Sequence, residues 1–372
     1  MKLVFDTNII HKDFHLMGPR ISKLTSAAKK LGYDLLIPEV VVDEMVSQYR
    51  EELLKHLPGY SEILKLDART QGGDSKFDRD SFVSDKTKEY ETYLRDKLRT
   101  LGIKIIKYPK VDIKELVSKE LNVKKPFKAI KEGNIGYRDA LIWETIKSVC
   151  QTPTALIEDP QVEFLSENTR DFAGADNTLH PDLVQELNKA GLADNCVTLV
   201  PDVKAFFETR IDTELEEIEQ IKTALEKTGK YNRFELKEEV SRVLTEDYVT
   251  GVLTETDYDS GEQYHLPRYM EEPTISNVNI PSVEDVTVRR LSDQSVLIEV
   301  EASVLVDLNF FVFKSDYYLL DEDDAPYIVD HDWNDHYMWC EDSVNVPFHL
   351  AFRATPKLGK VLSVDVQVEE EM

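Results

Sequence analysis

The segment MKLVFDTNII (residues 1–10) contains the apolar run from which the fold is predicted. Its apolar run, Leu3–Phe5, is typical of a strand that is buried on both faces of a parallel sheet. The run stops at Asp6, which places a carboxylate at the carboxyl end of the predicted strand. Open α/β sheets bind their ligands at that end. Taken alone, Asp6–Asn8 favours a turn or a helix N-cap over a ligand site, so the assignment depends on the other segments of the chain.

Apolar runs alternate with amphipathic segments as far as residue 205. The pattern predicts strands at 33–37, 103–108, 154–157, 162–165 and 196–200, separated by helices at 20–31, 38–57, 82–101, 137–150 and 181–190. Strands that alternate with helices predict a three-layer α/β/α fold with a parallel, doubly wound sheet. Residues 60–130 are long for one connection and are interpreted as an insertion, with a mobile loop at 71–80.

The pattern changes after residue 205. A helix is predicted from 203 to 228 and a second from 233 to 244. From 248 onward the apolar residues alternate with period two, which predicts strands at 286–291, 295–306, 309–320, 344–352 and 360–368. We therefore predict three parts: an α/β domain at 1–205, a helical linker at 206–247, and a mainly antiparallel, acidic β domain at 248–372.

The charge of the chain is unevenly distributed. The 372 residues carry a net charge of −26, but residues 1–210 hold 32 Lys and Arg against 34 Asp and Glu, whereas residues 211–372 hold 13 against 37. Within the first part, residues 97–131 hold 11 basic and 3 acidic residues, a local charge of +8. Such a run is either a solvated helix face or a strip that contacts a phosphate backbone.

Three cysteines lie far apart, at positions 150, 196 and 340, and show no metal-ligand spacing. This usage is typical of a reducing compartment. The first apolar run is too short for a signal peptide, and no stretch approaches the length of a membrane span. The sequence therefore predicts a cytoplasmic protein that does not enter a membrane.

Four carboxylates stand in similar settings: Asp6 after the first strand, Glu44 in the helix after the second, Asp139 at a helix start, and Asp171 after a late strand. Asn8 and Asn168 stand beside two of them. In a doubly wound sheet all of these side chains can meet at one edge, where carboxylates cannot all stay ionised without a cation. Hard oxygen ligands favour Mg²⁺ or Mn²⁺ over Zn²⁺.

These segments resemble the PIN-domain nucleases. The matching motifs are LVFDTNI (3–9), PEVVVDE (38–44), GYRDALI (136–142) and SENTRDF (166–172), and the resemblance covers residues 1–205. It implies a three-layer α/β/α fold that cuts RNA, and in some members DNA flaps, with Mg²⁺ or Mn²⁺. It further implies that the catalytic, metal-binding acids are Asp6, Glu44, Asp139 and Asp171, supported by Asn8, Asn168 and Asp176.

The small VapC-type toxins belong to this family, but the insertion and the β domain set this chain apart from them. It looks closer to larger bacterial PIN-like proteins. We expect a metal-dependent endoribonuclease with an RNA substrate and a toxin- or defence-like role. The alternatives are a DNA or flap nuclease, and a catalytically silent scaffold whose acidic β domain binds a protein. By analogy with other PIN domains, a homodimer is also expected.

Overall fold

The computed structural model describes residues 1–10, 13–71, 78–131, 133–150, 162–254, 266–321 and 325–368. The chain divides into two compact units, Met1–Leu215 and Glu216–Met372. The residues assigned above to a helical linker, 206–247, are divided between these two units. The predicted strand at 154–157 and most of the predicted loop at 71–80 lie outside the described residues.

The first unit is built on a parallel five-stranded sheet, as the sequence predicts. The strands of this unit are β1 (Lys2–Phe5), β2 (Asp34–Pro38), β3 (Ile103–Ile106), β4 (Lys128–Ile130), β5 (Gly133–Ile135), β6 (Val162–Leu165) and β7 (Val197–Val200). The sheet has the order β3-β2-β1-β6-β7, and β4 and β5 form a separate antiparallel hairpin. All four neighbouring pairs in the sheet run parallel.

Helices connect these strands. They are α1 (Thr7–Ile10), α2 (Pro19–Leu31), α3 (Glu39–Gln71), α4 (Arg79–Thr100), α5 (Ile113–Leu121), α6 (Tyr137–Cys150), α7 (Thr169–Phe172), α8 (Pro181–Lys189) and α9 (Val203–Phe206). A π-helical segment, Phe207–Ile211, joins α9 to α10 (Asp212–Thr228), so the single helix predicted at 203–228 is interrupted. Within the described residues, no helix combines the length and the apolar character that a bilayer-spanning segment needs.

The central strand β1 is buried because its three apolar side chains are enclosed on both faces of the sheet. Leu3, Val4 and Phe5 are at most 1% exposed. The chain leaves β1 for β2 on one side, whereas β6 pairs with β1 on the other, so the strand order reverses between β1 and β6. Doubly wound sheets open a crevice at the carboxyl ends of the two strands where this reversal occurs.

Two details of the first unit differ from the prediction. Helix α3 was expected to end before Pro58, but it continues to Gln71. Pro58 is exposed, so the carbonyl group that loses its N–H partner can be hydrated and the helix can pass through. In addition, β3 lies inside the predicted insertion at 60–130 and yet forms an edge strand of the main sheet, paired with β2.

The second unit holds a six-stranded antiparallel sheet. Its further elements are β8 (Lys230–Tyr231), β9 (Phe234–Glu235), α11 (Leu236–Val243), α12 (Glu246–Leu253), β10 (Glu271–Val278), β11 (Ser282–Arg290), β12 (Val296–Phe313), α13 (Lys314–Tyr317), β13 (Tyr327–Asp330), β14 (Tyr337–Ala354) and β15 (Val361–Val368). Strands β12 and β14 pair along their whole length. Strands β10 and β11 lie along the free edge of β12, and β13 and β15 along that of β14.

The sequence predicts two strands, 295–306 and 309–320, where the structure has one strand of 18 residues, β12. The period-two alternation continues without a break through Leu308 and Phe310, which are both buried against the core. The polar residues Asp307 and Asn309 belong to the opposite face and therefore do not mark a turn. The actual end of the strand is the single helical turn α13.

Candidate active site

The site lies at the carboxyl ends of β1 and β6. Asp6 follows β1 directly, and its backbone N–H donates to the carbonyl of Leu165, the last residue of β6, at 3.0 Å. The two neighbouring strands therefore present the residues that follow them, Asp6 and Ser166, at the same edge of the sheet. Both residues are buried, with 4% and 0% of their surface exposed.

Asp6 is held by three hydrogen-bond donors. Its Oδ1 accepts from the backbone N–H of Thr7 at 2.7 Å, and its Oδ2 accepts from Nδ2 of Asn8 at 2.8 Å and from the hydroxyl of Ser166 at 2.5 Å. Burial raises the pKa of Asp6 to about 6 despite the hydrogen bonds from Ser166 and Thr7. The carboxylate is thus fixed in position while its negative charge is poorly compensated.

Glu44, in the second turn of α3, is the second predicted acid at the site. Its Oε2 accepts from the hydroxyl of Thr7 at 2.7 Å, and its Oε1 is paired with the guanidinium group of Arg138. The Arg138 side chain is 66% exposed, whereas Glu44 is 17% exposed. Thr7 therefore connects the acid on α3 to the turn after β1, and Arg138 brings a cationic group to the rim.

Asp139 lies in the first turn of α6, and its carboxyl group is more strongly perturbed than that of Asp6. Burial and the nearby charges of Asp171 and Asp6 raise its pKa to about 7. Its Oδ1 accepts from Nδ2 of Asn168 at 3.3 Å. Since the neighbours that raise its pKa are carboxylates, a cation placed among them would remove the main source of repulsion.

Asp171, in α7, is 1% exposed. Its Oδ2 accepts from Nδ2 of Asn168 at 2.8 Å and from the ammonium group of Lys128 at 2.8 Å. Its Oδ1 is buried and has no hydrogen-bond partner within the described residues. A buried carboxylate oxygen without a partner is costly, and this atom is free to bind a cation.

Lys128 reaches the site from the β4–β5 hairpin, and Gly136 fixes where this hairpin meets α6. Gly136 has φ +130°, and a Cβ atom there would lie 2.9 Å from the carbonyl oxygen of Pro126 and 3.0 Å from Cα of Phe127. Only glycine fits this close approach. Phe127 is fully buried against the ring of Tyr137, at 5.1 Å between ring centroids.

These side chains line one cavity of about 490 Å³. Its walls are Asp6, Thr7, Asn8, Glu44, Gln48, Lys128, Ile135, Gly136, Arg138, Asp139, Asn168 and Asp171. The structure thus brings together all four predicted acids and both predicted asparagines. It does not bring in Asp176, which is exposed and whose carboxylate accepts from the hydroxyl and the backbone N–H of Thr178, at 2.6 and 3.3 Å. Asp176 closes a surface turn instead.

The donor set fits a divalent hard cation in its chemistry. The cavity offers carboxylate and amide oxygens, two carboxyl groups with raised pKa values, and one buried carboxylate oxygen without a partner. In the conformation observed, however, no three His, Cys, Asp or Glu side chains of the described part of the chain are gathered closely enough to share one ion. Two of the acids are instead paired with Lys128 and Arg138.

Four residues that contact the acids are not among the predicted site residues: Thr7, Lys128, Arg138 and Ser166. Ser166 follows a predicted buried strand, just as Asp6 does, so its position already indicated a place at the site. Thr7 lies inside the first motif but was interpreted only as part of a turn. Lys128 is one of 11 basic residues between 97 and 131, and nothing in the sequence distinguishes it from the others.

The comparison with known families agrees with this geometry. The family model of the PIN domain matches residues 3–172, a range that contains all four acids and both asparagines of the cavity. No curated protein and no solved structure matches the chain significantly. PIN domains are generally nucleases that use divalent metals. With its parallel sheet and its acidic cavity, the part of this chain that the family model matches, residues 3–172, is a PIN domain.

Proposed function

We propose that this protein is a divalent-metal-dependent endoribonuclease that hydrolyses RNA phosphodiester bonds at the cavity described above. The observation that carries the proposal is the convergence of Asp6, Asp139 and Asp171 at the point where the strand order reverses. Burial and neighbouring carboxylates raise the pKa values of Asp6 and Asp139, and carboxyl groups perturbed in this way are typical of functional sites. Mg²⁺ and Mn²⁺ suit such oxygen donors.

The residues that would hold the cation are Asp6, Asp139 and Asp171. Glu44 lines the same cavity, where it would bind a second ion or a water molecule. A divalent cation in such a site lowers the pKa of a water molecule and stabilises the leaving oxygen of a phosphodiester. The buried Oδ1 of Asp171 can take part while its Oδ2 still accepts from Asn168. Ser166 and Asn8 hold Asp6 in one orientation, which limits the rearrangement needed at the site.

Basic side chains at the rim of the cavity and elsewhere on the first unit are suited to contact a polyanionic substrate. Arg138 lies at the rim of the cavity with most of its side chain exposed, where a phosphate can displace it from Glu44. Lys107, Lys110, Lys114, Lys124 and Lys131 are exposed on the same unit. Lys119 does not belong to this set, because it is buried and pairs with Glu144 and Glu186 at 2.8 and 2.9 Å. The basic strip is therefore narrower than the sequence suggests.

The test uses the full chain with end-labelled single-stranded RNA, single-stranded DNA and a DNA flap, each with Mn²⁺, with Mg²⁺ and with EDTA. We expect RNA cleavage that needs the metal and that falls by about 100-fold or more in Asp139→Asn, because loss of one electrostatic catalytic group costs this much. Asp176→Asn is the matched control. It removes a carboxylate outside the cavity and should leave cleavage unchanged.

Each other outcome contradicts part of the proposal. Cleavage of the flap or of DNA alone would assign the site to a DNA nuclease. Equal cleavage by wild type and Asp139→Asn would show that the activity does not come from this cavity. No cleavage of any substrate would favour the silent scaffold, in which Lys128 and Arg138 permanently neutralise Asp171 and Glu44.

A further inference from the structure

We propose that the second unit binds an arginine-rich peptide segment of a basic partner protein on the solvent face of its sheet. The surface is a group of six aromatic residues near one end of strands β12, β13 and β14, called here the outer aromatic cluster. Its members are Phe311, Phe313, Tyr327, Trp333, Tyr337 and Trp339. This inference is independent of the nuclease activity proposed above.

The register of β12 and β14 places four of these side chains on one face, and ring contacts with Phe311 and Trp339 place Trp333 beside them. Phe311 lies opposite Trp339, and Phe313 lies opposite Tyr337, in the antiparallel pair β12–β14. Their neighbours along the strands, such as Phe310 and Met338, are at most 1% exposed and form the core face. Since successive side chains of a strand point to opposite faces, the cluster belongs to the face that is turned away from the core.

Within the described residues, side chains from the segment that precedes the sheet pack against its core face. The rings of Phe234, in β9, and Tyr248, in α12, lie 5.9 and 6.3 Å from those of Phe352 and Phe348. On the opposite face, Trp333 is 52% exposed and Tyr327 is 73% exposed. An exposed group of large aromatic side chains is typical of an interaction surface.

The rings of the cluster are already arranged for binding. Trp333 stacks on Phe311 with ring centroids 5.4 Å apart and lies 5.9 Å from Trp339. Phe313 meets Tyr337 edge-on at 4.4 Å. Because these rings hold one another in position, the protein loses little side-chain entropy when a ligand stacks on them. The exposed ring faces present the negative side of the aromatic quadrupole to a ligand.

The charge around the cluster selects a cationic ligand. Residues 305–321 and 325–341 contain seven acidic residues and one lysine, Lys314, which pairs with Asp332 at 3.4 Å. Glu341 lies opposite Tyr327, and Asp330 lies opposite Trp339, in the pair β13–β14. Within the described part of the chain, no ion pair involves Glu341, Asp330 or Asp335. Aromatic faces beside uncompensated carboxylates are the partners that guanidinium groups prefer.

The same charge disfavours two other occupants. Single-stranded nucleic acid can stack on aromatic rings, but its phosphates would meet the acidic residues that surround the cluster. A second copy of this chain, related by two-fold symmetry, would bring the same acidic surface against itself. The second unit as a whole has 35 acidic and 13 basic residues, so a basic partner is also attracted at long range.

The test titrates the full chain with octa-arginine, octa-lysine and a Gly-Ser octapeptide, following intrinsic tryptophan fluorescence. Two of the three tryptophans, Trp333 and Trp339, belong to the cluster, and the third, Trp143, is buried in the first unit. We expect octa-arginine to change the fluorescence, to bind more tightly than octa-lysine, and to weaken with added salt.

Substitutions distinguish the contribution of the outer aromatic cluster to peptide binding from that of the unit's net negative charge. Trp333→Ala should weaken octa-arginine binding by about fivefold or more, and Trp333→Phe should retain most of it, since one cation–π contact is worth this factor. Leu362→Ala is the matched control, because Leu362 is 50% exposed on the same unit. Glu341→Gln should weaken binding more than Asp365→Asn, which removes an exposed acid from β15. Thermal melts check that each variant is folded.

Three results would overturn the proposal. Equal octa-arginine affinity in wild type and Trp333→Ala would show that bulk negative charge alone binds the peptide. A tryptophan signal with single-stranded RNA and none with octa-arginine would assign the cluster to nucleic acid. A concentration-dependent dimer that Trp333→Ala abolishes would assign it to a second copy of the chain.

Discussion

The hydroxyl group of Ser166 donates a 2.5 Å hydrogen bond to Oδ2 of Asp6, and thereby joins residues 160 positions apart in the sequence. Each of the two residues directly follows a strand of the central pair β1–β6. The hydrogen bond therefore depends on the alignment of these two strand ends, and it holds Asp6 in its position in the acidic cavity.

Replacement of Ser166 by alanine should destabilise the first unit and disorder Asp6. The variant leaves a buried carboxylate with one donor fewer, which costs about 1–3 kcal/mol. Urea denaturation measures this loss, and metal-dependent cleavage should fall with it. Ser26→Ala, at an exposed position inside α2, is the control: it should leave cleavage unchanged and should not destabilise the unit, because alanine is the better helix former. A Ser166→Ala protein as stable as wild type would show that Asp6 does not depend on this hydroxyl.

Removal of Lys128 should strengthen metal binding. Its ammonium group occupies Oδ2 of Asp171 at 2.8 Å and competes with any cation for that carboxylate. We expect Lys128→Met to bind Mn²⁺ about tenfold more tightly by isothermal titration calorimetry, a gain of about 1.4 kcal/mol. Without metal, the same variant should be less stable than wild type, because Asp171 loses its counter-ion.

Lys131→Met is the control for this substitution. Lys131 is an exposed basic residue at the turn of the same hairpin, so its loss removes the same charge without freeing Asp171. If both variants bind Mn²⁺ equally tightly, the effect is one of general electrostatics. If neither differs from wild type, Asp171 is not a metal ligand.

The stability of the metal-free protein should depend on pH through Asp6 and Asp139. Their pKa values in the folded protein are raised to about 6 and about 7, above the value near 3.9 of an unfolded aspartate. The folded state therefore binds more protons between pH 4 and pH 7, and the free energy of unfolding decreases as the pH rises through this range, by on the order of 6 kcal/mol for the two groups together.

Denaturation in EDTA at pH 5 and at pH 7.5 measures how the free energy of unfolding changes with pH. Asp139→Asn should reduce this change, because the asparagine side chain cannot ionise. Mn²⁺ should stabilise the wild type more at pH 7.5 than at pH 5, since metal binding requires deprotonated carboxylates. An identical slope in wild type and Asp139→Asn would mean that the pKa of Asp139 is not raised in the folded state.

Gly136 should not tolerate alanine. Its φ of +130° and the 2.9 Å approach of the Pro126 carbonyl leave no room for a Cβ atom. We expect Gly136→Ala to destabilise the first unit by about 1–3 kcal/mol and to displace the hairpin that carries Lys128. Gly59→Ala is the control: it lies in α3 with nothing within 4 Å of its added Cβ, and it should stabilise the helix by up to about 1 kcal/mol. Equal melting temperatures for the two variants would contradict this reading.

The sequence predicted most of the fold because its strongest signals are local. The apolar run Leu3–Phe5 identified the central strand, and the acids that follow the strands of a parallel sheet meet at one edge by geometry alone. Asp176, which only the family resemblance added to the site, lies on an exposed turn outside the cavity, because the chain has already turned back to the surface there. A separate prediction, that α3 ends before Pro58, is wrong because an exposed proline does not end every helix.

The contacts of Lys128 and Arg138 could not be predicted. Both are ordinary basic residues in sequence, and only the folded chain shows that one reaches Asp171 and the other Glu44. The outer aromatic cluster was missed for a related reason. Its members come from two long strands and the segments between them, so their common face depends on a register that alternation alone does not fix.

The proposed function requires Asp6, Asp139 and Asp171 to bind one divalent cation. Anomalous diffraction from crystals soaked in Mn²⁺ can show this ion, with crystals of Asp139→Asn as the control. We expect an anomalous peak within coordination distance of all three carboxylates in wild type, with the Lys128 ammonium displaced from Asp171, and no peak in the variant. If the wild-type cavity shows no peak and Lys128 still contacts Asp171 at saturating Mn²⁺, the three acids do not form a metal site.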